Sequence, residues 1–206
     1  NTNTNTNTNT NTNTNTNTNK KNNDSLTPQE YIDGFGDVSG SFWLGLKNIR
    51  RITSIDEENK ESRLRIAVKT SSSSSTKEAV YNSFSLGPSN DGYRISIGGH
   101  SGDLQNGLEG SEGMRFSAKD NDQDGESGRS CASLRSTGWW LNTCAADGSA
   151  SGSDLISLPP LWPGVSGIVS SSIMLQPPGL YYSIKRPRGC QDVDTGVSGM
   201  YTIDPR

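Results

Sequence analysis

The stretch from Met114 to Cys144 carries the features that decide the fold, and it reads MRFSAKDNDQDGESGRSCASLRSTGWWLNTC. Four carboxylates crowd its first half, and two cysteines follow with a tryptophan pair between them. Closely spaced carboxylates in a glycine-containing loop are typical of a site for a hard cation such as calcium. Two cysteines at this separation can close a short loop, which adds about 3 kcal/mol in the chain-entropy model. The stretch therefore predicts an extracellular binding module rather than an enzyme.

Length and composition limit the class of protein. A chain of 206 residues can form one domain with an appendage. The apolar fraction of 29% is low, but no apolar residue precedes Leu26, so the remainder can build one core. A net charge of −3 without clustered Lys and Arg argues against a nucleic-acid or anionic-membrane partner. No apolar run approaches the roughly 18 residues of a membrane span.

The three cysteines leave one without a partner if Cys131 pairs with Cys144. Cys190 is then free, paired with another chain, or lacking its partner in this sequence. A disulfide indicates an extracellular, secreted protein, because the cytosol keeps thiols reduced. A cytosolic protein with three thiols stays open as the alternative.

Residues 1–25 form a polar low-complexity tract that begins with nine Asn-Thr repeats. Such a tract cannot bury apolar surface, which favours disorder. Its period of two is also the period of a β-strand with Thr on one face and Asn on the other. A polar strand stacked against another element is therefore the alternative.

From residue 26 onward the pattern is that of a folded domain. The Thr27–Glu30 segment is typical of a helix N-terminus, with Thr as the cap, then Pro, and Glu at the third position. Alternating apolar residues predict strands at 64–69, 80–86 and 93–97. The turn-forming residues 87–92 would join the last two strands as an antiparallel hairpin.

Several motifs, in order along the chain, resemble the fibrinogen C-terminal (fibrinogen-related) domain. They are YIDGFGD at 31–37, FWLG at 42–45, YNSF at 81–84, GGHSGD at 98–103, DNDQD at 120–124, GWW at 138–140 and YYSIK at 181–185. The resemblance implies an α+β domain at 26–187 that lacks the family's usual N-terminal strands. Its expected parts are a mixed, antiparallel-rich sheet, short helices and a loop-rich calcium-binding subdomain.

The last residues, 188–206, resemble the start of the same domain, although they follow its end. The stretch that comes next in the family, with a cysteine partner for Cys190 and a G-W-T strand, is not present in this sequence. Three interpretations stay open: a circular permutation, the start of a tandem domain, or a segment exchanged between subunits. An exchange would assemble copies head to tail, which produces filaments.

The resemblance implies a calcium site with side chains from Asp122 and Asp124. Backbone carbonyls near Glu126 and Gly128 would complete it. An Asp-x-Asp pair supplemented by carbonyls and water suits calcium, which takes six to eight oxygens. The alternative is a solvated acidic turn without metal.

A ligand pocket beside the calcium loop is also implied by the resemblance. In the family it recognises acetyl groups on sugars, in invertebrate lectins and innate-immune ficolin-like proteins, or peptide knobs in fibrinogen. Backbone N–H groups near Thr143 and Cys144 would donate to the ligand, and Tyr182 would form a wall. Ala145 stands where the family often has His, so the pocket departs from the family pattern. Trp139 and Trp140 are predicted to be core residues, because large aromatics usually serve burial.

Two functions are expected, and neither is catalytic. His100, the single histidine, lies in a Gly-Gly-His-Ser-Gly turn, and the sequence has no zinc spacing or phosphate loop. The first expectation is a calcium-binding recognition module for carbohydrate or acetylated ligands. The alternative is a self-associating subunit of an extracellular filament or polymer, joined through residues 188–206 and Cys190.

Overall fold

The computed structural model describes residues 26–54, 61–146, 152–157 and 159–177, together with the backbone of Tyr201–Ile203. The Asn-Thr tract, Tyr182 and Cys190 lie outside the described residues. The helices are α1 (Pro28–Asp33), α2 (Leu46–Thr53) and α3 (Cys131–Arg135). The strands are β1 (Phe35–Gly36), β2 (Phe42–Trp43), β3 (Ser62–Thr70), β4 (Thr76–Leu86), β5 (Ile95–Gly102), β6 (Ser117–Ala118), β7 (Gly138–Trp139), β8 (Ile168–Gln176) and β9 (Tyr201–Ile203).

A five-stranded antiparallel sheet in the order β5-β4-β3-β8-β9 forms the centre of the fold. Its inner face carries the alternating apolar residues that the sequence predicted: Leu64, Ile66 and Val68 of β3 are almost fully buried, and Ile66 lies opposite Ile173. Two further two-stranded antiparallel ribbons, β1-β2 and β6-β7, are separate from this sheet. The predicted α+β, antiparallel-rich architecture is confirmed.

The strand predicted from residue 93 begins only at Ile95, and the reason is local. Tyr93 has φ of +50°, a left-handed conformation that a strand does not contain and that a bulky residue rarely adopts. Its N–H donates to the Pro88 carbonyl at 3.2 Å, which closes the turn ahead of β5. The Tyr93 carbonyl in turn accepts from Trp140 Nε1 at 2.8 Å, so the strained residue is held by a buried contact.

The backbone of residues 201–203 occupies the edge of the sheet beside β8. Ile203 lies opposite Ile173, Thr202 opposite Met174, and Tyr201 opposite Leu175. Part of the segment that resembles a domain start is therefore a strand in the same sheet as β3–β5. Three residue pairs connect it to a nine-residue strand.

Helix α1 starts as the sequence predicted. The Thr27 side chain accepts from the Glu30 N–H, and the Glu30 carboxylate accepts from the Thr27 N–H at 2.7 Å, which completes a capping box. Among the described residues, the longest helix has eight residues, and none is long and apolar enough to cross a membrane.

An aromatic cluster joins the helices to the loop-rich half of the domain. The Phe116 ring lies 5.3 Å from Tyr31 and 5.2 Å from Trp140, centroid to centroid. Trp139 packs edge-on against Trp140 at 5.3 Å, and both tryptophans are at least 96% buried. The prediction that this pair serves the core is confirmed.

Candidate calcium loop and ligand-binding site

The carboxylate loop is built around Asp124, whose two oxygens each accept a backbone N–H from a later residue. Asp124 Oδ1 accepts the Glu126 N–H at 2.9 Å, and Oδ2 accepts the Cys131 N–H at 2.8 Å. Asp124 N–H itself points to Asp122 Oδ1 at 3.5 Å. One carboxylate thus ties the loop to the first residue of α3, and the neighbouring Asp122 carboxylate lies beside it.

Asp124 is partly buried and lies beside a second carboxylate, that of Asp122. Burial raises the pKa of the Asp124 carboxyl above its usual range, and the neighbouring Asp122 carboxylate raises it further. The N–H groups of Glu126 and Cys131 act in the opposite direction but do not cancel the rise. Two adjacent carboxylates in partial burial repel each other, and a bound cation relieves that repulsion.

Glu126 and Gly128, the other two residues of the implied calcium site, would contribute backbone carbonyls. The Glu126 carboxylate lies 3.4 Å from Arg129 Nη2, and Gly128 has φ of +84°, which favours glycine. Within the described ranges, no group of three or more His, Cys, Asp or Glu side chains could hold a metal. The residues present fit calcium with two carboxylates, and carbonyl and water oxygens would have to supply the other ligands.

A disulfide joins Cys131 to Cys144 and closes the short loop expected from the sequence. The carboxylate loop contacts the chain at Cys131 and two residues before Cys144, because Asp124 accepts the Cys131 N–H and the Gly125 N–H donates to the Asn142 carbonyl at 2.7 Å. A Cβ at Gly125 would collide with the Asn142 side chain. Glycine therefore allows this close approach without displacing the Asn142 side chain.

The residues implied in ligand binding follow directly after this contact. Thr143 and Ala145 are exposed, whereas Cys144 is buried with its disulfide. The structure thus places Thr143 and Ala145 on the surface, in the segment that follows the contact of the carboxylate loop with Asn142. Tyr182, the fourth implied residue, lies outside the described residues.

One buried carboxylate, that of Asp154, was not among the candidate residues identified from the sequence. Asp154 is fully buried, and its side chain accepts from Arg135 Nε at 3.2 Å, Thr137 Oγ1 at 3.2 Å and the N–H of Ser157 at 3.0 Å. Burial raises the pKa of Asp154, and the Arg135 guanidinium and these hydrogen bonds counteract the rise. The pair anchors the end of α3 to the segment around residue 154. A lone Asp between Ser153 and Leu155 gave no sequence signal of that role.

His100 has a structural environment. Its ring lies 5.3 Å from the ring of Tyr81, the residue opposite it in the β4–β5 pair. Tyr81 is buried and its hydroxyl donates to Asn106 Oδ1 at 2.9 Å. The Gly-Gly-His-Ser-Gly segment, expected to be a turn, is instead the second half of β5, and His100 packs against Tyr81 of β4.

Comparison with known proteins gives consistent matches. The family described as fibrinogen beta and gamma chains, C-terminal globular domain, matches residues 3–154. Fibrinogen C domain-containing protein 1 of Xenopus tropicalis is 36% identical over 121 residues, which cover 56% of this chain and 25% of that protein. Angiopoietin-related protein 6 of Mus musculus is 36% identical over 117 residues, covering 57% and 24%.

Solved structures show the same fold. The fibrinogen-like globe domain of human ANGPTL2 superposes with a TM-score of 0.63 at 26% identity, over 76% of this chain and 75% of that one. The lamprey fibrin D-dimer, complexed with the peptide ligand Gly-His-Arg-Pro-amide, superposes with a TM-score of 0.61 at 23% identity, over 84% and 62%.

The chain spans about a quarter of the length of the curated relatives that it matches. The family consists of recognition and structural proteins rather than enzymes, in agreement with the non-catalytic expectation from the sequence. The match covers well over half of the chain, and the fold and the motifs support it. The chain belongs to the fibrinogen C-terminal globular domain family.

Proposed function

We propose that this fibrinogen-like recognition domain is an extracellular, calcium-stabilised module that binds acetylated or carbohydrate ligands at residues 143–145. The supporting observation is that one loop contacts Cys131 and a residue two positions before Cys144. Asp124 accepts the Cys131 N–H, and the Gly125 N–H donates to the Asn142 carbonyl. A cation bound by Asp122 and Asp124 would fix the loop, and the loop would fix the segment of residues 143–145, in which Thr143 and Ala145 are exposed.

The cation is tested by calcium titration of the purified chain, followed by isothermal calorimetry and thermal unfolding. We expect saturable binding and a rise in the melting temperature, because a ligand that binds only the folded state stabilises it. Asp124→Asn keeps the size of the side chain but removes a charge, so its calcium affinity should fall at least tenfold.

Asp120→Asn is the matched control, since Asp120 is an exposed carboxylate of the same loop outside the proposed pair. Its calcium affinity should stay within about threefold of the wild type, which is the scale of a screened surface charge. Equal calcium binding by wild type and Asp124→Asn would contradict the site.

The ligand is tested on an N-acetylated resin with elution by EDTA. We expect calcium-dependent retention that free N-acetylglucosamine competes away. Ala145→Trp should abolish retention without loss of calcium binding, because Ala145 is exposed and a large side chain there would cover the neighbouring N–H groups. Retention that is insensitive to both EDTA and Ala145→Trp would contradict the ligand site.

A second function, assembly between copies, is supported by the pairing of residues 201–203 with β8. A strand that adds to an edge through backbone hydrogen bonds can be supplied by the same chain or by a neighbour. Cysteines at Met174 and Thr202, which lie opposite each other, would trap the pair on oxidation. Covalent oligomers on a non-reducing gel would support assembly, whereas a purely monomeric cross-link would exclude it.

A further inference from the structure

Helix α2 carries three cations on one side: Lys47, Arg50 and Arg51. Residues three and four positions apart are neighbours on a helix surface, so these side chains form one cationic face. Lys47 and Arg51 are exposed, Arg50 is half-buried, and α2 contains no acidic residue. The helix packs against α1 and β4, which holds the cationic face in place. The buried residues of α2 are Leu46, Ile49 and Thr53.

The cations of this face are unpaired. Within the described ranges, none of the three side chains has a hydrogen bond or an ion pair, and Arg50 Nε is shielded from solvent without an acceptor. An anion that binds at α2 therefore breaks no existing pair. The other described arginines each have a side-chain hydrogen bond or an ion pair, and they are Arg63, Arg65, Arg94, Arg115, Arg129 and Arg135.

The stability of the helix accounts for only part of this charge. Arg50 and Arg51 lie in the last turn of α2, where cations favour the negative end of the helix dipole. Lys47 lies in the first turn, where a cation is unfavourable. The dipole explains neither Lys47 nor the Arg50 Nε donor that has no acceptor.

The spacing of the three cations favours a ligand with several anionic groups. They span four helical steps, or about 6 Å along the axis, which is more than one small anion covers. The planar arginine fork matches the oxygens of a sulfate or phosphate group. The chain carries −3 overall, and Asp56, Glu57 and Glu58 follow α2 in the sequence. Binding of a polyanion therefore depends on close contact with the face rather than on long-range attraction.

The environment of the protein narrows the class of polyanion. Disulfides persist in oxidising environments outside the cytosol, and one joins Cys131 to Cys144. The anionic leaflet of the plasma membrane faces the cytosol instead. Short segments rich in Lys and Arg are typical of heparin-binding patches. These features favour a sulfated polysaccharide over a lipid surface or a nucleic acid.

We propose that the cationic face of α2 binds the sulfate groups of an extracellular polysaccharide. Lys47 and Arg51 make the first contacts because they are exposed, and Arg50 turns towards a sulfate without losing a hydrogen bond. The face shares no residue with the Asp122–Asp124 pair or with residues 143–145. It recognises sulfate rather than an acetyl group.

The test is calorimetric titration of the full chain with heparin in EDTA, at low and at physiological salt. We expect saturable binding that weakens steeply with salt, because the cations displace counterions from the polyanion. Heparin that has been fully desulfated and N-acetylated keeps its carboxylates and gains acetyl groups, and it should bind at least tenfold more weakly. Equal binding of the two polymers would overturn the proposal. EDTA removes any contribution of the proposed calcium site, so failure here leaves that site untouched.

The triple variant Lys47→Gln, Arg50→Gln and Arg51→Gln removes the face. We expect heparin affinity at low salt to fall at least tenfold. The slope of log affinity against log salt should become shallower by about two, since each contact on a nucleic acid contributes about 0.7–0.9 through the same counterion release. Unchanged affinity and slope would overturn the proposal.

The matched control removes the same charge from three exposed lysines in other parts of the domain. Its changes are Lys69→Gln, Lys77→Gln and Lys119→Gln. Heparin affinity should stay within about threefold of the wild type, because dispersed surface charges are screened. Equal losses in the two triple variants would show that overall charge, and not the face of α2, determines binding.

A purely structural role of the cations is separated by thermal unfolding of the same proteins. A lower melting temperature of the α2 triple variant with unchanged heparin affinity would assign the cations to helix stability and overturn the proposal. Arg51→Gln, a single change at an exposed position, preserves the fold and should weaken heparin about threefold. Arg51→Lys keeps the charge and should restore most of that loss.

A lipid surface is the competing polyanion, and vesicles of phosphatidylcholine and phosphatidylserine present it. We expect no co-sedimentation of the chain with these vesicles at a salt concentration where heparin still binds. Vesicle binding as tight as heparin binding, and lost in the α2 triple variant, would overturn the assignment to a sulfated polysaccharide.

Discussion

The sheet and the loop-rich half of the domain reach the same degree of burial by different means. In β3 and β4, apolar side chains alternate and the backbone is satisfied by the ladder, with Ile66 and Ala79 paired and fully buried. Between Asp103 and Asn142 only short elements occur, yet Phe116, Trp139 and Trp140 are as deeply buried. The sheet depends on many equivalent contacts, whereas the loops depend on a few that have no substitute.

The largest test of this contrast is Trp140→Ala. The Trp140 ring contacts Phe116 and Trp139, and its Nε1 holds the Tyr93 carbonyl at 2.8 Å. We expect the free energy of unfolding to fall by about 3–5 kcal/mol, measured by urea denaturation. Trp140→Phe, which keeps an aromatic ring, should lose less than half of that. A loss below about 1 kcal/mol for the alanine variant would show that the loops are as redundant as the sheet.

The next test removes the disulfide by the double change Cys131→Ala and Cys144→Ala. The expected loss is about 3 kcal/mol, because the unfolded chain regains the freedom of a short loop. Hydrogen exchange should increase at Gly125 and Cys131, whose N–H groups bind Asn142 and Asp124. Protection in β3 and β4 should change only through the global loss. Equal increases in both regions would contradict the separation of the two halves.

The smallest expected effect is a loss of folding stability at alkaline pH, caused by ionisation of Tyr81 in the sheet. Burial raises the pKa of Tyr81 from 10.0 to about 12, so the folded chain keeps a proton that the unfolded chain releases near pH 10. Folding stability should therefore fall as the pH rises from 10 to 12, by about 2–3 kcal/mol from this residue. Tyr81→Phe lacks this fall.

At pH 7, in contrast, the wild type should be more stable than Tyr81→Phe. The Tyr81 hydroxyl donates to Asn106 Oδ1 and accepts the Leu108 N–H at 3.3 Å, so Tyr81→Phe should be less stable by about 1 kcal/mol. Urea denaturation of both proteins at pH 7 and pH 11.5 measures the crossing. Parallel pH profiles would show that Tyr81 does not titrate in this range.

Sequence patterns predicted the elements that depend on the spacing of apolar residues and on contacts between near neighbours in the chain. The alternation at 64–69 indicated β3, and the Thr27–Glu30 spacing indicated the cap of α1. The start of β5 was wrong by two residues, because a contact 47 residues away, from Trp140, holds Tyr93 in a left-handed turn. No local pattern contains that information.

The same distinction, between local patterns and long-range contacts, applies to the candidate sites. The DND-type run placed two carboxylates together, because neighbours in sequence within a tight turn stay neighbours in space. The Asp154–Arg135 pair depends on residues from distant segments. Such long-range meetings follow from the packing of the whole domain, and composition and spacing do not reveal them.

The position of β9 has a consequence for how the protein is made. The chain completes β8 at Gln176, but the strand that covers its edge begins at Tyr201. A ribosome adds about 5–20 residues per second, so the edge stays open for roughly one to five seconds in each round of synthesis. During that interval the exposed edge of β8 can pair with another nascent chain, and crowded polysomes would make such pairing more frequent.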